Sequence, residues 1–239
     1  GKVYARGVPP GVSPPAYGER TYSVERIPGP TAPLAPPVGA NKVTAYDERV
    51  VTSMGIGSQM DGLGHLGIDH RYYNGVHASQ VNTDKGFALD LARVPPIVTR
   101  GVLIDMVKHF GKPLVAGQAF NRAEIEAAMR AQKVTVGKGD VVLFHTGWMA
   151  AKAESDRDVF RSTEPGLGEE GAIWLADQGV VAIGADTVAL EAIPFENPDR
   201  PFIVHQTLLA KKGVHVLETI DTNALAADGV TEFLFVLGQ

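Results

Sequence analysis

Two pairs of side chains in this sequence carry groups that could act together on a substrate. The first pair is Asp61 and His65, which lie four residues apart in a glycine-rich stretch. Four residues make about one helical turn, so both side chains would point the same way if the segment coils. A carboxylate and an imidazole at this spacing suit a divalent metal ion. The same spacing also fits a surface pair or a contact that stabilises a loop.

The second pair is His205 and Glu218, of which the glutamate ends an apolar run. A carboxylate next to a core needs a partner or a cation to offset its desolvation. A salt bridge would meet that need as well as a metal ion would, and the candidate cations are Lys211, Lys212 and Arg200. Together the two pairs offer two carboxylates and two imidazoles, which would offset the charge of a divalent ion and leave a position for water or substrate.

Three further side chains are candidates for substrate binding. His145 and Trp148 lie at the end of a buried strand, where the histidine would orient a substrate carbonyl or move a proton, or would be a satisfied core histidine. Trp148 is either part of the core or part of a pocket wall. Tyr73, with its neighbour Tyr72, would line an apolar pocket or would pack on the Asn-Gly turn that follows.

The composition limits the classes of partner. The chain has 239 residues, 22 Lys and Arg against 27 Asp and Glu, a net charge of -5 and no cysteine. An acidic chain without a basic cluster argues against nucleic acid, and a metal would need His, carboxylate or amide ligands because thiolates are missing. No apolar run reaches the roughly 18 to 20 residues of a membrane span. We therefore expect a small-molecule partner, neither nucleic acid nor membrane, and a cytoplasmic location.

The sequence lacks the motifs of three other catalytic classes. It contains neither G-x-S-x-G nor G-x-x-x-x-G-K-[ST], and no G-x-G-x-x-G follows a predicted strand. Nucleophilic serine, P-loop and dinucleotide-binding functions therefore lack their characteristic residues.

The elements that must position the candidate residues alternate between strand and helix from about residue 100 onward. Strands are predicted at 102–107, 139–146, 180–185, 214–218 and 231–236. Helices are predicted at 121–132, with Asn121 as N-cap, and at 168–178, 202–210 and 223–227. This alternation predicts an α/β single domain with a mixed sheet.

The N-terminal part of the chain has a different character. Prolines concentrated in residues 8–38 resist regular helix and predict an extended arm, which we assign to residues 1–40, with one short strand at 21–27. The domain itself is assigned to residues 41–239. Within it, residues 42–53 alternate well enough for a strand, and the glycine-rich residues 55–64 predict a turn or loop.

Residues 55–65, GIGSQMDGLGH, resemble the signature H-x-G-T-H-x-D-x-P-x-H of the cyclase family, the metal-dependent hydrolases that include kynurenine formamidase, isatin hydrolase and trans-dienelactone hydrolase. Gly57, Asp61 and His65 match this signature directly. Ser58 replaces its Thr and Leu63 its Pro, while Gly55 and Gln59 stand at its first two histidines. Residues 139–148, GDVVLFHTGW, are similar to the family's G-D-x-V-L-x-x-T-G-W strand, and residues 184–187 to its G-x-D-T turn. The resemblance extends from about residue 2 to residue 235.

The resemblance implies a swivelling β/β/α fold and a homo-oligomer. It also implies a hydrolase that opens a small cyclic amide or lactone, or cleaves an aryl formamide, by attack of metal-bound hydroxide. Asp61, His65, His205 and Glu218 would hold zinc or manganese, and the last three would also be catalytic. One ion is favoured over two, because Gly55 cannot ligate through a side chain and Gln59 offers only a neutral amide.

Two expectations stay open at this point. Gln59 would be a weak ligand or a donor to bound water, and it joins His145, Trp148 and Tyr73 among the candidate substrate-binding residues. The missing histidines also allow a second function, in which a degenerate family member binds a small molecule without turnover.

Overall fold

The structure is a computed structural model that describes residues 22–27, 36–45, 47–81 and 88–238. The chain divides into two compact units, Gly1–Gly57 and Ser58–Gln239. Most of the proline-rich arm, residues 1–21 and 28–35, lies outside the described residues. The boundary between arm and domain at residues 40 and 41 therefore stays a prediction.

The first unit contains a two-stranded antiparallel sheet of β1 (Tyr22–Arg26) and β2 (Glu48–Thr52). The short strand predicted in the arm is confirmed over its described residues. The strand predicted at 42–53 is wrong over its first part, because the chain reverses there. Lys42 donates its backbone N–H to the carbonyl of Gly39, and the flanking Val38 and Val43 pair in an isolated bridge.

The second unit contains a six-stranded mixed sheet in the order β10-β4-β6-β8-β9-β3. Strands β4, β6, β8 and β9 are parallel, while β10 and β3 are antiparallel edges. The strands are β3 (Gln59–Asp61), β4 (Ile97–Asp105), β5 (Ala119–Phe120), β6 (Val141–His145), β7 (Gly166–Leu167), β8 (Ala182–Ala185), β9 (His215–Glu218) and β10 (Glu232–Leu237). The short strands β5 and β7 pair separately. The predicted α/β fold class with a mixed sheet is confirmed.

Short helices connect and cover these strands. They are α1 (Ala78–Val81), α2 (Met106–Phe110), α3 (Arg122–Gln132), α4 (Trp148–Lys152), α5 (Arg157–Ser162), α6 (Glu169–Asp177), α7 (Ile203–His205) and α8 (Asn223–Ala227). A π-helix, Gln206–Lys212, continues directly from α7. None of the helices in the described ranges is both long enough and apolar enough to cross a bilayer.

Alternate residues of the central strands enter two separate apolar clusters, as expected when successive side chains point to opposite faces of a sheet. Phe144 and Val216 belong to the larger cluster, to which α3 contributes Ile125. Leu143 and Leu217 belong to the smaller cluster. Each face of the sheet can therefore be identified from its apolar residues, and a polar residue at a strand end can be assigned to one face.

Besides residues 42–53 and the strand predicted at 102–107, whose last two residues begin α2, two predicted elements differ from the structure. The stretch 55–64 is not only turn and loop, because Gln59, Met60 and Asp61 form β3 by pairing with β9. The helix predicted at 202–210 is only α-helical over three residues and then widens into the π-helix, which Gly213 ends in the left-handed conformation. Both differences lie next to the candidate metal ligands.

Candidate metal centre

Pairing of β3 with β9 brings the first candidate pair to the second. Gln59 is opposite Glu218, and Asp61 is opposite Val216, in the antiparallel register. Because residues two apart in a strand share a face, Gln59 and Asp61 lie on the same face of the sheet as Glu218. This is the face of the larger apolar cluster, since Val216 belongs to it.

His205 completes a compact group of ligand atoms. One donor atom each from Asp61, His205 and Glu218 lies within 4.8 Å of the others, and all three residues are buried. His205 Nε2 is 3.1 Å from Glu218 Oε1 and 3.6 Å from Asp61 Oδ2. The structure therefore brings together three of the four residues proposed as metal ligands.

His65 lies beside this group and is not part of it. Its Nε2 is 3.6 Å from Asp61 Oδ2, and its side chain is 52% exposed whereas that of Asp61 is 7% exposed. The segment does not coil into a helix, the condition under which the sequence analysis expected the two side chains to point the same way, yet they approach each other across a turn. Asp61 ends β3, and a tight turn in which the His65 N–H donates to the carbonyl of Gly62 follows it. His65 thus occupies the solvent side of the carboxylate.

Gln59 contacts Glu218 through its amide nitrogen. Nε2 donates a hydrogen bond to Glu218 Oε2, and Gln59 Oε1 has no hydrogen-bond partner among the described residues. The amide orientation follows from charge, since its oxygen would be repelled by the carboxylate. Gln59 therefore acts here as a donor that holds one oxygen of Glu218.

The cations considered as salt-bridge partners of Glu218 bind other acids. Lys212 Nζ is 2.7 Å from Asp177 Oδ1, and Arg200 makes a two-pronged contact with Glu169. Both contacts lie on the surface, whereas Glu218 is buried. The salt-bridge alternative for Glu218 is therefore wrong for these two residues.

A carboxylate that the sequence analysis did not single out contacts the other side of the His205 ring. Glu191 Oε1 is 2.6 Å from His205 Nδ1, and Glu191 is buried. Burial lowers the pKa of His205, but the hydrogen bonds to Glu191 and Glu218 outweigh it and raise the pKa to about 10. Without metal the ring is therefore protonated at neutral pH and donates to both carboxylates. The one sequence signal for Glu191 is that it and Asp186 are the two acids in the mostly apolar run 180–193.

His145 lies at the same edge of the sheet but on its other face. It is two residues after Leu143, which belongs to the smaller cluster, so strand alternation places it opposite to the face of Phe144 and Glu218. Its Nδ1 is 2.8 Å from Thr222 Oγ1 and 3.9 Å from the carboxylate of Asp186. The structure gives His145 a buried polar environment, and its role in substrate binding stays a prediction.

The two aromatic candidates are held by protein contacts. Trp148 is buried, and its indole N–H donates to the carbonyl of Phe160 at 3.4 Å. Tyr73 is half-buried, and its ring lies so close to Gly213 that an added Cβ there would be 2.5 Å from the ring. These contacts fit the structural roles considered for both residues, and their roles in substrate binding stay predictions.

The donor set fits a divalent metal ion. Asp61 and Glu218 supply carboxylate oxygens and His205 an imidazole nitrogen, all of them buried. Two negative charges in a buried site are costly unless a cation offsets them. Three protein ligands of this type leave coordination positions for water or substrate, and they suit zinc or manganese.

Solved structures of similar proteins share the fold. A crystal structure described as a novel cyclase has 27% sequence identity and a TM-score of 0.77, and the match covers 95% of this chain and 76% of that chain. Isatin hydrolase A from Labrenzia aggregata, bound to benzyl benzoate, has 19% identity and a TM-score of 0.62 over 88% of this chain and 75% of that one. An isatin hydrolase bound to the product analogue thioisatinate has 16% identity and a TM-score of 0.59, covering 89% and 74%.

The family itself is shown by sequence. No curated protein matches this chain. The sequence model of the cyclase family, described as "Putative cyclase", matches residues 12–192, which is more than half of the chain. The resemblance of the signature residues is thereby confirmed, and this chain belongs to the cyclase family.

Proposed function

We propose that this protein is a metal-dependent hydrolase that opens a small cyclic amide or lactone, or cleaves an aryl formamide. Membership of the cyclase family supports the reaction class, and so do the isatin hydrolases that share its fold, whose name describes hydrolysis. The observation that carries the proposal is the buried group of ligand atoms from Asp61, His205 and Glu218, all within 4.8 Å of one another. When bound there, zinc or manganese supplies a Lewis acid that polarises a carbonyl and lowers the pKa of water to about 7.

The environment of Glu218 supports one ion per chain. Gln59 occupies Glu218 Oε2 with its amide N–H, so Oε1, which faces His205, is the oxygen left for an ion. At this position the family signature has a histidine, whose ring nitrogen could bind a metal ion through its lone pair. Gln59 instead directs its amide N–H at the cluster. A second ion would therefore lack a ligand on this side of Glu218.

His65 is the residue best placed to move a proton. Its ring is half-exposed and 3.6 Å from Asp61, so it can contact both the cluster and a substrate that enters from solvent. We assign to His65 Nε2 the acceptance of a proton from the attacking water and its delivery to the leaving nitrogen or oxygen. Asp61, which is buried beside it, stabilises the imidazolium that forms in between.

The remaining parts of the proposal concern binding and assembly. We propose that a small-molecule substrate contacts His145, Trp148, Tyr73 and the oxygen of Gln59, which has no hydrogen-bond partner in the described part of the chain. Family resemblance supports a homo-oligomer, and the acidic composition argues against nucleic acid as a partner. A cytoplasmic location completes the proposal.

A specific observation also favours a second function. Gln59 replaces a histidine of the signature, and Gly55 replaces another, which is the pattern expected of a family member that binds a small molecule without turnover. The two functions differ in one respect, since only the hydrolase converts its ligand.

The test is to offer zinc-loaded or manganese-loaded protein a panel of lactones, cyclic amides and aryl formamides. We expect turnover of at least one class that a chelator abolishes. His65→Asn should retain the metal and lose activity, by 10²- to 10⁴-fold if the histidine is the proton acceptor. Full metal binding without turnover of any compound would instead support the binding protein.

A further inference from the structure

Glu191 holds the His205 ring from the side that faces away from the cluster. Glu191 Oε1 is 2.6 Å from Nδ1 of the ring and 3.1 Å from the backbone nitrogen of the same residue. The other ring nitrogen, Nε2, faces Glu218 and Asp61 at 3.1 and 3.6 Å. The two nitrogens therefore have different partners, and only Nε2 is directed at the proposed metal position.

The position of the Glu191 carboxylate is set by its own backbone. Both oxygens of Glu164 accept backbone N–H groups of the preceding residues, from Val188 at 2.6 Å and from Ala189 at 2.7 Å. Gly166 lets this segment approach β7, because an added Cβ there would lie 2.3 Å from the carbonyl carbon of Glu191. The backbone that carries this carboxylate is thus held by contacts that do not involve His205.

Capping the first turn of α7 explains only part of the contacts that Glu191 makes. Glu191 accepts the backbone N–H groups of Val204 and His205, which are free donors in the first turn of α7. Any neutral acceptor could bind those groups. A carboxylate that also binds Nδ1 does more, since in a metal-bound ring it keeps the proton on Nδ1 and raises the basicity of Nε2.

We propose that Glu191 is a positioning residue that accepts the Nδ1–H of His205 and so directs Nε2 at Asp61 and Glu218 as a metal ligand. The proposal deepens the proposed function and rests on it, because it takes His205 as a ligand. Partners of this kind are known to change metal affinity by 10- to 100-fold when they are removed.

Two variants separate the hydrogen-bond acceptor of Glu191 from its charge. Glu191→Leu removes both, whereas Glu191→Gln removes only the charge. Zinc affinity is measured by competition with a chromophoric chelator. We expect Glu191→Leu to bind zinc about 10 to 100 times more weakly than the wild type, and Glu191→Gln to recover most of this loss because its amide oxygen still accepts from Nδ1. Asp140→Leu is the matched control: Asp140 is also buried and pairs with Arg100, but it precedes β6 at the opposite end of the sheet. It should lower stability without changing zinc affinity.

A second readout does not depend on zinc or on the folding of Glu191→Leu. Proton–nitrogen NMR of the histidine rings, with the His205 signals identified by their loss in His205→Asn, should show a hydrogen-bonded Nδ1 proton whose chemical shift changes in Glu191→Gln, because Nδ1 lies 2.6 Å from Glu191 Oε1. Wild-type protein that binds no zinc would defeat the proposed function and, with it, the ligand role of His205, whereas wild-type protein that binds zinc leaves the two measurements to test Glu191 alone. An Nδ1 signal that is the same in the wild type and in Glu191→Gln, or equal zinc affinities in Glu191→Leu and Asp140→Leu, would overturn the role of Glu191.

Discussion

Gln59 lies where the cyclase signature has a histidine, and its amide group offers different contacts. A histidine there would offer a lone pair, whereas Gln59 donates to Glu218 and keeps an oxygen that has no partner among the described residues. Leaving a buried polar atom unpaired costs about 1–3 kcal/mol. A ligand that donates a hydrogen bond to this oxygen would recover part of that free energy, so we expect substrates with an N–H or O–H group at this point to bind more tightly.

Asp186 carries a prediction about pH. It is fully buried, accepts the N–H and hydroxyl of Thr146 through Oδ1, and has His145 Nδ1 3.9 Å from Oδ2. Burial raises the pKa of Asp186, although the hydrogen bonds from Thr146 lower it in part. Because the folded state then binds the proton more tightly than the unfolded chain, wild-type stability should fall as pH rises from about 3.9, the unfolded pKa, through the raised value.

Asp186→Asn cannot ionise and should therefore escape this loss. We expect the free energy of unfolding of Asp186→Asn, relative to the wild type, to increase between about pH 4 and pH 7, by about 1.4 kcal/mol for each unit by which the pKa is raised. Urea denaturation of both proteins at a series of pH values measures the difference. If the difference in the free energy of unfolding stays constant with pH, or falls as pH rises, the pKa of Asp186 is not raised in the folded protein.

At the scale of elements, the junction between α7 and the π-helix positions His205. The π-helix begins at the next residue and ends at Gly213, whose φ is 69°. π-Helical turns are rare and occur frequently at functional sites. The ring of Tyr73 packs directly on Gly213. The segment that follows β3 therefore contacts the C-terminal end of the π-helix, whose other end joins the helix of His205.

Gly213→Ala should disturb this junction. The left-handed conformation costs an alanine about 1–2 kcal/mol, and the clash with Tyr73 adds about 1–3 kcal/mol of overpacking. Gly111→Ala is the matched control, because Gly111 ends α2 with a φ of 73° and an added Cβ would meet nothing within 4 Å. Urea denaturation should show a larger loss of stability for Gly213→Ala, and zinc affinity should fall in that variant only. Equal losses in the two variants would show that Tyr73 does not brace the helix.

Elements that form through interactions between residues close in sequence could be predicted, whereas elements that depend on residues far apart in sequence could not. Helix α8 and the N-cap of α3 depend on local sequence, and both were predicted within the bounds that the structure gives. Strand β3 could not be recognised in a glycine-rich stretch, because it exists through pairing with β9, which lies far along the chain. The π-helix likewise has no local signal in residues 202–210, where the apolar spacing is that of an ordinary helix.

The candidate site shows the same division. Residue types and family resemblance pointed to Asp61, His205 and Glu218, which the structure brings together. The contact between Glu191 and His205 was not predicted, because it depends on how the segment after β8 folds back on β7. The available signal was a pair of acids, Asp186 and Glu191, in the mostly apolar run 180–193, and it did not indicate a partner for either.

At the scale of the whole molecule, buried negative charge gathers around one imidazole. Asp61, Glu191 and Glu218 contact or approach His205, whereas burial raises the pKa of the nearby Glu164 well above its usual range. One protonated ring cannot offset so many carboxylates. Binding of a divalent ion should therefore stabilise the folded chain, by about 2.7 kcal/mol when the free ion is at 100 times its dissociation constant.

The most direct test of this account is the metal content per chain, measured by elemental analysis after metal-free protein has been offered zinc or manganese and the excess removed. We predict about one ion per chain in the wild type. His205→Ala and Asp61→Asn should lose the ion. Asp140→Asn should keep it, because Asp140 lies at the other end of the sheet. A wild-type chain that retains no ion, or an ion that all three variants retain, would contradict the assignment of Asp61, His205 and Glu218 as a metal centre.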